Sequence, residues 1–248
     1  MTKLAIVILA AGQGTRMKDP SKAKVLYPVS GKPMIDYVIK RAAELTPEKI
    51  VLIVGYRKEL VIEHIQKSFP VSPIEFALQE PQLGTGHAVM QAETCLRNFT
   101  GNVLILYGDV PMLSGQTLRK LIESHATARA AATVLTADLQ DPTGYGRIIR
   151  SANGALEKIV EHKDATELER SVKEVNSGIY VFDKEKLFDA LENITPANAQ
   201  GEYYLTDVIG IFRKKGLTVA AVKADKPYEI LGINSLDQLQ EAEAYLGK

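Results

Sequence analysis

The chain has a single cysteine, Cys95. No intramolecular disulfide can form, C-x-x-C redox and zinc frameworks are excluded, and a reducing compartment is the expected setting. Neither charge is in excess: Lys+Arg and Asp+Glu both number 30, so the formal net charge is zero. A globally basic nucleic-acid binder is disfavoured, while a local basic pocket stays open. The longest apolar run, Leu4–Ala11, is too short to span a bilayer. Lys3 before it and small residues after it admit a signal-peptide core. Its β-branched residues and the Gly-rich turn at its end suit a buried first strand better. The expectation is a soluble cytoplasmic protein that binds neither nucleic acid nor membrane. Repeats, low-complexity tracts and flexible linkers are absent. So are a Gly-x-Ser-x-Gly elbow and an HExxH helix, and Cys95 has no obvious basic partner, which leaves covalent nucleophilic catalysis little support.

What the chain does have is apolar mass: 46% of its 248 residues are hydrophobic, enough for a sizeable core. KLAIVIL, KIVLIV, VLILY and AATVLT read as strands covered on both faces. PMIDYVIKRAAEL, GHAVMQAETCLRNF and SGQTLRKLIESHATA have helical spacing. The alternation predicts an α/β fold, an open, mostly parallel sheet flanked by helices in Rossmann-like fashion. From about Asp138 the character changes. Hairpin-like strands turn at Asp141–Pro142 and Asn153–Gly154, followed by the strand SGIYVFD and the helix KEKLFDALENI. A second helix is expected to start near Glu202, and a last one runs through SLDQLQEAEAYL with Ser235 as N-cap. This half is expected to be a subdomain laid over the first.

Ligands in such sheets sit at the carboxyl ends of the strands, which directs attention to LAAGQGTRM and LYGDVP. Gly12 and Gly14 can take positive φ and let phosphate oxygens approach backbone N–H groups, with Arg16 as a planar donor fork. A tight strand–helix turn with a surface arginine reads equally well. Lys24, anchored by Val25 and Leu26, can be aimed at that turn, or it is a solvated loop lysine. Asp109 suits Mg²⁺ on phosphates, or it opens a Pro-containing turn. Gln79, with the pair Gly84 and Gly86 around Thr85, offers groups that read a base edge. His87, without a ligand cluster near it, reads as structural. Gly146, Glu161, Asn176 and Asn234 each lie beside a strand end and suit sugar hydroxyls or turns and caps.

Taken in order, LAAGQGTRM, AKVL, QLGTGHAV, LYGDVP, DPTGYGRI, IVEHKDAT, VNSGIYVFD, AQGEYYLTDVI and the late Gly-Ile-Asn resemble the uridylyltransferase domain of the bifunctional bacterial GlmU enzymes, over roughly residues 3 to 246. The resemblance implies a nucleotide-diphospho-sugar transferase fold. It divides the single domain into a nucleotide-binding part (about 1–137), a smaller sugar-binding β/α part (about 138–230) and a C-terminal helix (231–248). It implies UTP and N-acetylglucosamine 1-phosphate as substrates, UDP-N-acetylglucosamine and pyrophosphate as products, and Mg²⁺ as cofactor. By the same resemblance Leu9, Ala10, Ala11, Gly12 and Gly14 cradle the nucleotide. Gln79, Gly84 and Thr85 read the uracil, Arg16 and Lys24 bind phosphates, Asp109 and Asn234 hold Mg²⁺, and Gly108, Gly146, Glu161 and Asn176 line the sugar pocket. Two departures stand out. In the loop KDPSKAKVL, Ala23 replaces the family's usual proline, which frees φ and makes Lys22 a rival to Lys24. The left-handed β-helix acetyltransferase domain of those enzymes does not follow, so the chain is expected not to acetylate, and a monomer is the default. The rival readings are the same chemistry on another sugar phosphate or base, and a catalytically silent nucleotide-sugar-binding subunit.

Overall fold

Seven consecutive residues, six of them buried, form β1 (Leu4–Ala10), an interior strand of the main sheet. Residues 3–17 and 21–246 are described in a computed structural model of the chain. After β1 come two 3₁₀ turns, Thr15–Met17 and Lys24–Leu26. A small hairpin, β2 (Pro28–Val29) and β3 (Lys32–Pro33), leads into α1 (Met34–Ala43). Then follow β4 (Lys49–Val54), α2 (Lys58–Ser68), β5 (Ile74–Leu78), α3 (Thr85–Met90), α4 (Glu93–Leu96), β6 (Asn102–Tyr107), α5 (Gly115–Ala128) and β7 (Ala132–Asp138). The remainder comprises β8 (Arg147–Arg150), β9 (Leu156–Val160), α6 (Glu167–Ser171), β10 (Glu174–Asp183), α7 (Lys184–Leu191), α8 (Asp207–Lys214), β11 (Val219–Lys223) and α9 (Leu236–Leu246).

The main sheet runs β11-β7-β10-β6-β1-β4-β5 among the described residues, with β8 and β9 joined to it through β10. β1 is parallel to both β4 and β6, and β10 is antiparallel to both β6 and β7. Alternate residues of β1 feed opposite cores: Ala5, Val7 and Leu9 pack on the side of α3, α7 and α8, Ile6, Ile8 and Ala10 on that of α1, α2 and α5. Each fully buried Val or Ile contributes about 1.5–3 kcal/mol. A third, small cluster joins Met17, Tyr27 and Met34 to Ile233 and Ala242, and so seats α9 over the β2–β3 hairpin.

β10 and β11, both beyond residue 137, are strands of the same sheet as β1, and β10 lies between β6 and β7. Two expectations need correction. GHAVMQAETCLRNF is two helices. The Gln91 side-chain amide takes the His87 carbonyl, and the backbone N–H groups of Gln91 and Ala92 turn to Ala88 and Val89, a tight turn between α3 and α4. The helix expected from Glu202 begins at Asp207. Tyr203 is spent elsewhere: its N–H donates to Leu83 O and its carbonyl accepts from Gly86 N–H, both at 2.8 Å, so this stretch braces the glycine loop. Ser235 Oγ accepts from Gln238 N–H at 3.3 Å at the start of α9.

Candidate active site

The chain leaves β1 for β4 and β5 on one side, then crosses back to lay β6 on the other. Connections that diverge on either side of a strand open a crevice at the carboxyl ends. A cleft of about 350 Å³ lies there. It takes in Leu9, Ala10, Ala11 and Gly12 after β1, Tyr107 and Asp109 at the end of β6, and Lys24, Gln79, Gly84, Thr85 and Asn234.

The two glycines of the first turn differ. Gly12 has open space where a Cβ would stand and does not use the positive φ open to it. Gly14 takes φ +63°, and a Cβ on it would lie 2.6 Å from Lys24 Cβ. The bareness of Gly14 makes room for Lys24. Lys18, Asp19 and Pro20 of the intervening loop lie outside the described residues. Ala23 holds φ −71°, a value a proline would also adopt. Lys22 turns away, its ammonium 5.8 Å from the centre of the Tyr27 ring.

Lys24 Nζ forms an ion pair with Asp109 Oδ2 and donates to Asn234 Oδ1 at 2.9 Å. Arg16 Nη2 donates to the same Asn234 oxygen at 2.9 Å. Asp109 and Asn234 come together because Ile233 N–H donates to the Asp109 carbonyl at 2.9 Å. Asn234 is further fixed by its N–H to Gln238 Oε1 and its Nδ2 to Gly232 O. Among the described residues no group of three or more His, Cys, Asp or Glu is placed to hold a metal. One carboxylate and one amide oxygen nevertheless suit Mg²⁺ that takes its other ligands from phosphates and water. Both oxygens converge on a cation, the Lys24 ammonium, so the donor set fits.

On the far wall Gln79, only 4% exposed, donates from Nε2 to Gly84 O at 2.9 Å and approaches His87 Nδ1 at 3.2 Å. Burial lowers the His87 pKa, so the ring stays neutral and Nδ1 is free to accept. Gly84 (φ +106°) and Gly86 lie against the Tyr203 backbone, where Cβ atoms would stand 2.7 and 2.9 Å from its carbonyl oxygen. Thr85 Oγ1 accepts from Leu205 N–H.

Gly146, Glu161 and Asn176 form a group of their own, outside the cleft lining: a Cβ on Gly146 would stand 3.5 Å from both Glu161 Oε1 and Asn176 Cβ. Thr206 donates to Glu161 Oε1 at 3.1 Å, and Asn176 Oδ1 accepts from Gly178 N–H. Burial raises the Glu161 pKa. Tyr107 joins the two groups. Its phenol is pushed well up by burial, with the charges of Glu161 and Asp109 adding, so it stays a neutral donor. Gly108 has a packing reason, since a Cβ there would strike Ile35 and Val25. Sequence reasoning missed Gln82 and Glu202 in the cleft and Thr206 beside Glu161. GEYYLTD holds the last two, in a stretch whose spacing predicts helix from Glu202.

The chain is 50% identical over 248 residues to the bifunctional protein GlmU of Brevibacillus brevis, covering 100% of this chain and 52% of that protein. It is 48% identical over 247 residues to the bifunctional protein GlmU of Bacillus subtilis, covering 99% and 53%. It thus spans about half the length of the curated relatives it matches. A solved UDP-glucose pyrophosphorylase complexed with UDP-glucose aligns with TM-score 0.78 over 100% of this chain and 99% of that one, at 19% identity. That likeness shows a shared fold, a Rossmann-like, mostly parallel sheet flanked by helices. Residues 5–228 match the family described as Nucleotidyl transferase, and the chain belongs to that family.

Proposed function

We propose that the protein transfers a uridylyl group from UTP to N-acetylglucosamine 1-phosphate, releasing pyrophosphate. The observation that carries this reading is the meeting of Arg16, Lys24, Asp109 and Asn234 at the carboxyl ends of β1 and β6. Two cations and two oxygen ligands at one point serve bound phosphates and a metal together. Gln79 supports the choice of base. With its nitrogen committed, Oε1 is left to accept; uracil offers an N3–H donor there, and cytosine offers an acceptor.

In the reaction an oxygen of the sugar phosphate attacks the α-phosphorus in line, and the bond to the β-phosphate bridging oxygen breaks. The acceptor is already an anion, so no general base is required. Arg16 stabilises the departing pyrophosphate, and Lys24 offsets charge between acceptor and α-phosphate. Mg²⁺ held by Asp109 and Asn234 would supply Lewis-acid polarisation and a template for the phosphates. Glu161, Asn176 and Gly146 receive the sugar, with the cytoplasm, where UTP is made, as the setting.

Pyrophosphate release with a panel of nucleoside triphosphates and sugar 1-phosphates, with and without Mg²⁺, tests the proposal. Metal-dependent turnover of UTP with N-acetylglucosamine 1-phosphate alone is expected. Preference for another pair would reassign the substrates, and no turnover with any pair would leave a silent nucleotide-sugar binder.

A further inference from the structure

Arg147 is 1% exposed; the charge of Asp141 acts on it, but no carboxylate forms a direct ion pair with it among the described residues. A buried cation without a direct ion pair is costly unless its donors are used. Here all three nitrogens are. Nη1 donates to the Tyr145 carbonyl, Nε to the Arg170 carbonyl at 3.4 Å, and Nη2 meets His162 Nδ1 at 3.3 Å. Burial lowers the pKa, opposed by the charge of Asp141. The three partners lie on the segment entering β8, the segment leaving β9, and the last turn of α6.

These partners bracket the sugar-side group. Gly146 stands between Tyr145 and Arg147, and Glu161 immediately precedes His162. Gly146 O accepts from Asn176 N–H at 2.9 Å, so the third member is tied to the same stretch. The base-side residues have other partners among the described residues: Gln79, Gly84 and Thr85 are held by His87, Tyr203 and Leu205.

We infer that Arg147 is a positioning residue for the acceptor sugar: its three-way fork fixes the spacing of Gly146 and Glu161, and so sets affinity for the sugar phosphate without touching it. The inference rests on the uridylyltransferase reading. Lysine cannot replace it, because an ammonium lacks the planar fork that spans three acceptors.

Steady-state kinetics of Arg147→Met and Arg147→Lys, each substrate varied at saturating partner, test the inference. KM for N-acetylglucosamine 1-phosphate should rise roughly tenfold or more, as expected when positioning slips by a fraction of an ångström. KM for UTP should stay within about twofold of the parent value in both variants. A parallel rise in both KM values, or no rise in either, overturns the inference. If Arg147→Met does not fold, Arg147→Lys decides by the same criteria. Failure of the unmodified protein to turn over this substrate pair overturns the parent reading instead.

Discussion

Lys24 and Asp109, 85 residues apart in sequence, form an ion pair at the carboxyl end of the central strand, and Lys24 reaches Asn234 with the same ammonium. The lysine therefore sits on both oxygens that the proposed metal needs.

Lys24→Ala is expected to lower turnover on the order of a hundredfold or more, as do Arg16→Ala and Asp109→Ala, by analogy with loss of other electrostatic stabilisers. Lys22→Ala should have little effect, since Lys22 faces Tyr27. Initial rates of pyrophosphate release would measure this. A reversed order of the two lysines would disprove the assignment of Lys24.

Metal binding without nucleotide gives an independent reading. The Lys24 ammonium competes for Asp109 and Asn234, so Lys24→Met should bind Mn²⁺ more tightly, by up to roughly fivefold for a partly exposed ion pair. Electron paramagnetic resonance titration would follow free Mn²⁺. Weaker binding in the variant would mean that Lys24 does not compete with the metal.

Gly14→Ala should cost about 1–2 kcal/mol, because alanine is strained at φ +63° and its Cβ meets Lys24. Turnover should fall with it as Lys24 is displaced. Gly12→Ala should leave stability within about 0.5 kcal/mol, with open space at its Cβ. Urea denaturation of the two variants separates them; equal losses would contradict the different roles of the two glycines.

His125 sets a pH dependence. Burial pulls its pKa down to about 4, with the Lys186 charge lowering and the Asp183 charge raising it, and Nδ1 contacts Thr133 Oγ1 at 3.0 Å. The folded state holds the ring neutral, whereas the unfolded chain protonates it near the usual value of about 6.5. This contribution is full above that pH and is lost as pH falls from there through about 4. Urea midpoints from pH 7.5 to 4.5 should fall less steeply for His125→Gln. Identical slopes would show that His125 does not titrate on unfolding.

Local pattern went far in this chain. Apolar runs such as KLAIVIL carry the mostly parallel sheet covered on both faces, and such a sheet places ligands at its strand ends. The turn residues Asn153–Gly154 and the cap Ser235 were equally visible. Other relations leave no period in the sequence. The meeting of Asp109 with Asn234 depends on one backbone hydrogen bond from Ile233. The irregular course of Tyr203 depends on a loop more than a hundred residues upstream. The choice of Lys24 over Lys22 depends on the space left by Gly14.

The place of β10 between β6 and β7 bears on how the chain comes to be folded. A growing polypeptide that has just released β6 and β7 holds two strands with no neighbour between them, each apolar and ready to pair with the wrong edge. The gap between β6 and β7 closes only after Asp183 has emerged, so the part of the sheet before β8 cannot mature ahead of the rest. A break placed between the halves would yield two fragments with open, sticky edges in place of two working pieces.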